Sequence, residues 1–350
     1  MRKKILFVGD GGDPSALSEI LAGSDLEVFP KINPQSLSLG VFVRHFGYFR
    51  LALFAVRHRK HYDCVLIWQQ FVALYYYLLG IFMPGARSTP VILYYIIYKK
   101  SSNKWVNWVK HRVMRAMVNS RQMTVVYFMS RSDYLYEETH QIKRRLLVYC
   151  PFNSTFIEKN SSFIGTVGQF YFSGGASNRD YSKIKQLAEL MPDAHFSVAS
   201  RPTIQQVFKP CPPNVGLHFD LYGDAFEDLI LRAKAVIIPL ADPMVTSGQM
   251  VVLAAMQAGK TVFITRNDFI DDWVGRERAA GFLFEYESLE HLSYLLRTTS
   301  DVELAESGKR ARKFFLEHND EKTIYRSFAE QMNIILMGKA HDSPLSVKNA

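Results

Sequence analysis

Residues 236–265, VIIPLADPMVTSGQMVVLAAMQAGKTVFIT, leave the backbone few options. The run over 235–240 is short, β-branched and closed near Pro239, which suits a buried strand. Polar residues and Pro243 over 242–246 predict a loop. Over 247–258 apolar side chains return at helical spacing. Val251, Ala255 and Ala258 share one face, with Met250, Leu253 and Met256 close by. Gly259 predicts the helix stop, Lys260 falls in the last turn, and 261–265 is a second strand. A strand, helix and strand of these lengths form a βαβ unit, which requires a parallel sheet with helices covering it. Thr246, Ser247 and Gly248 at the helix start supply an N-cap, open N–H groups and no bulk, a place for an anion such as a diphosphate. Read locally, the stretch is also what an ordinary βαβ unit contains.

The same alternation runs through the chain. Expected strands lie at 5–8, 26–29, 64–68, 91–95, 124–128 and 146–149 in the first half. Expected helices lie at 15–22, 42–61, 71–82 and 104–118, and residues 130–133 begin another. Residues 150–153 read as a linker. In the second half, strands are expected at 165–172, 194–199 and 215–219 beside those already placed. Helices are expected at about 181–190, 224–233, 285–296, 301–318 and 320–337. The fold class is therefore α/β, with two Rossmann-like domains facing across a cleft.

With 350 residues and 48% hydrophobic content, the chain can build two substantial cores. Its longest apolar run, 71–83, is too short to span a bilayer as a helix, and the start does not read as a secretory signal. Cys64, Cys150 and Cys211 have no metal-ligand spacing and read as reduced thiols of a cytoplasmic protein. Charge is uneven. Residues 1–150 hold 21 Lys and Arg against 9 Asp and Glu, whereas 151–350 hold 21 against 24. A basic half rich in aromatics predicts an anionic partner. Two basic amphipathic helices carry that charge. One has the stripe Phe42, Phe46, Phe49, Leu53 and Val56, the other Val106, Val109, Val113 and Met117. Each is either a core-facing helix with a solvated basic face or one lying on anionic lipid. No nucleic-acid motif accompanies the basic residues.

The first βα turn contains Gly9, Asp10, Gly11, Gly12, Asp13 and Pro14, which is not the dinucleotide G-x-G-x-x-G pattern. Gly11 and Gly12 let a ligand approach the backbone closely. Asp10 and Asp13 are candidate bases for an attacking hydroxyl, or else a turn residue and a helix cap. In the second half three expected strand ends carry small, polar or cationic residues: 173–179 with Gly174, Gly175 and Arg179; Ser200 with Arg201; and 242–249 with Asp242, Thr246, Ser247, Gly248 and Gln249. Loops at the carboxyl edge of a parallel sheet share one ligand site. Arg179 and Lys183, one helical turn apart in this reading, would both reach one diphosphate. Arg201 sits where a base or phosphate is held.

The segments FSGGASNRDY and IPLADPMVTSGQMVVLAAMQAGKTVFIT resemble the donor-binding domain of GT-B-fold glycosyltransferases. They are most similar to the retaining family-4-like group of bacterial surface polysaccharide and lipopolysaccharide synthesis. The resemblance covers 165–270 well and 1–150 in layout. It implies an acceptor-side domain over 1–152, onto which a helix at about 320–338 packs back, and a nucleotide-sugar donor domain over 153–319. It implies a clamp of Arg179 and Lys183 on the donor diphosphate, 246–249 beneath it, and no cofactor and no metal. It also implies a glycan or lipid-linked acceptor and a cytoplasmic location with attachment to the inner face of the membrane. Two departures stand out. Ala254 occupies the place of a ribose-binding Glu, and Trp68, Gln69 and Gln70, with Tyr94 and Tyr95, lie where a His is common, which puts Asp10 and Asp13 forward for an inverting reaction. Other enzymes of the fold, such as a nucleotide-sugar epimerase or a pyruvyl transferase, and a non-catalytic nucleotide-binding relative, are the competing readings.

Overall fold

The computed structural model describes residues 2–9, 18, 26–32, 40–83, 89–93, 103–120, 123, 125–128, 147–149, 162–243, 245, 247–267, 270, 274–279, 281–319 and 336. The chain divides into two compact units: Met1–Pro151 with Tyr325–Ala350, and Phe152–Ile324. Each is taken by itself. The expected helices at 15–22 and 320–338, the helix start at 130–133 and the linker at 150–153 lie outside the described residues, apart from Ser18 and Leu336.

In the first unit the strands are β1 (Lys3–Gly9), β2 (Leu26–Ile32), β3 (Cys64–Ile67), β4 (Val91–Leu93), β5 (Val125–Phe128) and β6 (Leu147–Tyr149). The helices are α1 (Val41–His58), α2 (Gln70–Phe82) and α3 (Lys104–Val118). The sheet runs β2-β1-β3-β4-β5-β6, parallel throughout. Ile5, Leu6, Phe7 and Val8 are buried, as are all four residues of β3, so these strands read as unbroken apolar runs. Right-handed crossovers place α1, α2 and α3 on one face. Their packing agrees: Tyr48 stacks on Phe71 with centroids 5.9 Å apart, and His45 meets the same ring at 4.9 Å. The 42–61 helix of the sequence reading ends at His58 and tightens into a 3-10 turn over Arg59–His61.

The second unit contains β7 (Phe170–Gly174), α4 (Tyr181–Leu190), β8 (His195–Ser200), β9 (Val215–Phe219), α5 (Asp224–Leu231) and β10 (Ala233–Ile238). It continues with α6 (Gln249–Gln257), β11 (Val262–Thr265), α7 (Arg276–Ala279), β12 (Leu283–Tyr286), α8 (Leu289–Thr298) and α9 (Asp301–His318). Its parallel sheet runs β12-β11-β10-β7-β8-β9. The central β10 is buried along almost its whole length, because both neighbours and the helices on either face exclude water.

Three expectations are corrected here. The strand expected at 165–172 runs from Phe170 to Gly174, so Ser173 is a buried strand residue rather than part of the turn. The helix expected at 285–296 starts at Leu289, where the Ser288 hydroxyl caps it through the His291 N–H at 3.1 Å. The preceding Leu283–Tyr286 joins the sheet as its edge strand, because apolar alternation over four residues satisfies a sheet and cannot complete a helix. Lys260 is not in the last turn of α6. It follows the left-handed Gly259, and its side chain turns inward.

Lys260 is 1% exposed, and its ammonium donates to the Thr166 carbonyl at 2.5 Å. Burial pushes its pKa down from 10.5 to about 8. Between those values the folded chain has released a proton that the unfolded chain keeps, so stability rises with pH there. The unsubstituted protein should gain on the order of 1–3 kcal/mol relative to Lys260→Met between pH 8 and 10. Chemical denaturation across that range checks it; parallel stability curves would refute it.

Candidate functional site

The second sheet changes direction at β7. The chain leaves β7 through α4 to β8 and β9 on one side, then returns through α5 to β10 on the other. The carboxyl ends of β7 and β10 therefore diverge, and such a switch point forms a crevice. Gly174 ends β7, and Leu240 follows β10.

The loop between β7 and α4 is held across this crevice by its own backbone. Gly175, at φ 107°, turns the chain back, and its carbonyl accepts from the Ser200 hydroxyl at 2.9 Å and from the Tyr181 hydroxyl. Asn178 adopts φ 54°, a conformation its short amide tolerates. Its amide donates to the Asp242 carbonyl and to Ser247 Oγ, both at 2.8 Å, and its Oδ1 accepts from the Asp242 N–H at 2.9 Å. Arg179 then pairs with Leu240 as an isolated antiparallel bridge. Asp180 caps α4 through the Ser182 N–H.

This geometry fixes the Arg179 side chain. Its Nε donates to the Gly174 carbonyl at 3.1 Å and its Nη1 to the Ser177 carbonyl at 2.8 Å. Nη2 has no acceptor among the described residues. A Cβ on Gly175 would lie 3.1 Å from Nη2, and one on Gly248 would lie 3.8 Å away, so two glycines open the space around the guanidinium. No described carboxylate pairs with it. The phenols of Tyr181 and Tyr286 act on it electrostatically, and burial holds both above their usual pKa and hence neutral at pH 7. Burial also draws the Arg179 pKa below the usual arginine value, although a guanidinium stays charged at neutral pH. A half-buried cation without a counter-ion carries a desolvation cost that an anion would relieve.

The start of α6 faces the same crevice. Its cap residue is Gly248 at φ 100°, and no side chain caps it. This corrects the expected Ser or Thr cap: Ser247 Oγ is occupied by Asn178 and by the Val245 carbonyl. The N–H groups of Gln249 and Met250 meet no acceptor among the described residues, and the positive end of the helix dipole adds to the Arg179 charge.

The other candidates are placed less centrally. Lys183 does not share a helical turn with Arg179, because α4 begins at Tyr181. Its ammonium lies 4.0 Å from the Asp180 carboxylate. Arg201 is exposed at the end of β8, and Asp242 is exposed in the loop after β10. Ala254 is 2% exposed, within the apolar core under α6. Gln69 caps α2, with its Oε1 accepting from the Phe71 and Val72 N–H groups. Thr246, Asp10, Gly11, Gly12 and Asp13 lie outside the described residues. No group of three or more His, Cys, Asp or Glu among the described residues is placed to hold a metal ion. The sequence reading missed Asn178 and Tyr181. An Asn in a glycine-flanked turn was the available signal for the first; the second had none beyond its place in the α4 core stripe.

No family model and no curated protein matches the sequence. Solved structures do match the fold. A sucrose-phosphate synthase from Thermosynechococcus elongatus superposes with a TM-score of 0.70 at 10% identity, over 96% of this chain and 100% of that one. HepE of Anabaena, solved in complex with UDP-glucose, gives 0.63 at 17% identity, over 95% and 100%. The lipopolysaccharide outer core galactosyltransferase WaaB, in its apo form, gives 0.57 at 10% identity, over 96% and 99%. At these identities the likeness is one of fold: the chain has the GT-B glycosyltransferase fold.

Proposed function

We propose that this chain is a glycosyltransferase that moves a sugar from a nucleotide-sugar donor to a lipid-linked or polysaccharide acceptor in surface-glycan synthesis. The observation that carries the reading is the half-buried Arg179 guanidinium, without a carboxylate partner among the described residues, beside the start of α6, which no side chain caps. As the bond from the anomeric carbon to the diphosphate breaks, negative charge grows on the leaving group. A fixed guanidinium and helix dipole stabilise that charge without reorganising. No metal is part of the proposal. Solved neighbours that are glycosyltransferases, one of them holding UDP-glucose, support the donor class, and the lipopolysaccharide enzyme among them supports the acceptor class.

Lys183, Ser200, Arg201, Asp242 and 246–249 complete the proposed donor site. Asp10 or Asp13, directly after β1, is the proposed base, with Gly11 and Gly12 leaving room for the acceptor. β1 lies between β2 and β3, so its carboxyl end is the switch point of the first sheet. Burial of Ala254 favours a second reading, a nucleotide-binding relative whose ribose grip is lost.

A panel of nucleoside diphosphates and nucleotide sugars separates these readings. One donor class at about 100 times its Kd should stabilise the fold by about 2.7 kcal/mol, seen as a raised Tm. Nucleoside diphosphate should then be released when acceptor glycan is added. Conversion of the donor without acceptor would assign an epimerase instead, and binding without turnover the non-catalytic relative. The absence of any shift would overturn the donor site itself.

A further inference from the structure

We propose that the first unit attaches to an anionic phospholipid surface through the starts of α1 and α3. The apolar stripe read for α1 splits in the structure, and beside the α3 stripe two tryptophans outside it stay in water. In α1, Val56 is buried and Phe49 and Leu53 are half-buried, but Phe42 is 92% and Phe46 62% exposed. In α3, Met117 and Val118 are buried, while Trp105 is 71% and Trp108 52% exposed. Core packing therefore accounts for the carboxyl ends of both helices and leaves four large aromatic rings at their amino ends in water.

These four rings share an edge of the unit. In a parallel α/β sheet every crossover helix begins at the carboxyl edge of the strands. α1 and α3 lie on one face of the first sheet, with α2 between them.

The charge around the rings identifies the partner. Between Glu27 and Asp133 the sequence holds 15 Lys and Arg and one acidic residue, Asp63. That carboxylate is engaged by the Lys4 N–H at 2.7 Å and lies 3.8 Å from the Lys3 ammonium. Arg50, Lys104, Lys110, Arg112 and Arg115 are exposed, and the Arg112 guanidinium lies 4.4 Å over the Trp108 ring. Exposed Phe and Trp side chains set among cations match a bilayer interface, where rings enter the headgroup layer and cations pair with lipid phosphates. A nucleic acid would take up the same charge, but no nucleic-acid motif accompanies these residues. Among the described residues no helix is long and apolar enough to cross a membrane, so the attachment is to a surface.

The test is independent of donor binding. Co-sedimentation of the full chain with phosphatidylcholine vesicles, with and without phosphatidylglycerol, should show at least about tenfold stronger binding to the anionic vesicles, weakened by salt. The exposed-residue variant Phe42→Ser/Phe46→Ser/Trp105→Ser/Trp108→Ser should lose about 100-fold of that binding at an unchanged Tm. The conservative Trp105→Phe/Trp108→Phe variant reports even if the fourfold variant misfolds: brominated phosphatidylglycerol should quench the fluorescence of the unsubstituted protein and leave the variant largely unquenched. Equal binding to neutral and anionic vesicles, no binding to either, or retained quenching would overturn the proposal. A concentration-dependent dimer abolished by the fourfold variant would also overturn it, assigning the face to a second copy of the chain.

Discussion

Arg179→Met should weaken donor binding about 100-fold while leaving the unliganded fold near its original stability. The asymmetry follows from the site. Methionine keeps much of the side-chain volume between Gly175 and Gly248 but removes the charge. A charge-assisted hydrogen bond to phosphate is worth roughly 1.5–3 kcal/mol, and the guanidinium supplies more than one donor in a fixed fork. The unliganded protein loses the bonds to the Gly174 and Ser177 carbonyls, yet is also relieved of a half-buried cation that no described carboxylate offsets. Arg179→Lys should recover part of the affinity as a point charge, without the fork. Calorimetric titration with the donor class found by thermal shift, beside melting of the free variants, measures both sides. A normal Kd for Arg179→Met would remove Arg179 from the site.

Gly308→Ala should be strongly destabilising for a single added methyl in the second unit. Gly308 lies in α9 where that helix crosses the end of α6. A Cβ there would stand 2.0 Å from the Gly259 carbonyl oxygen and 2.8 Å from its carbon. Both are backbone atoms, so no rotamer change relieves the clash. Gly259 itself is left-handed at φ 68°, and its Cβ position lies 3.0 Å from the Gly165 backbone, so it has little room to retreat. The helices must separate, at a cost of roughly 3 kcal/mol or more. For a unit of this size that lowers Tm by about 6–12 °C. Calorimetry of the variant checks it, and a shift within a degree or two would show that the approach is not that close. The change also reaches the site. α6 carries the N–H groups of the proposed anion site at one end and Gly259 just past the other, so a lifted α9 should weaken donor binding as well.

Much of the fold was legible because its signals are local. The bounds of α3 follow from a period of apolar residues and an Asn cap. Those of α9 follow from the Ser300 cap and a stop at Asn319. The turn at Gly175 was legible because few other residues adopt its backbone angle. Local signals misled where one segment satisfied two patterns. The helix expected at 285–296 takes in Glu285 and Tyr286, which belong instead to the edge strand, and their place in the sheet depends on pairing with β11. The helical spacing drawn between Arg179 and Lys183 assumed that both belong to α4. Arg179 is instead drawn into a bridge with Leu240, a residue 61 positions away.

By itself the sequence determined the layering, because alternation of short β-branched runs with helical periods allows a parallel α/β arrangement and little else. It also determined the basic character of the first half and the glycine stop of α6 at Gly259. The tertiary structure decided which charges are compensated and which rings are covered. Arg179 and Arg201 read alike as letters, yet one is held in a crevice with no carboxylate partner among the described residues and the other is exposed. Val56 and Phe42 belong to one stripe, yet the sheet covers the first and leaves the second exposed. The physical reason is the same in both cases. Desolvation depends on every atom that comes near, and those atoms come from distant parts of the chain.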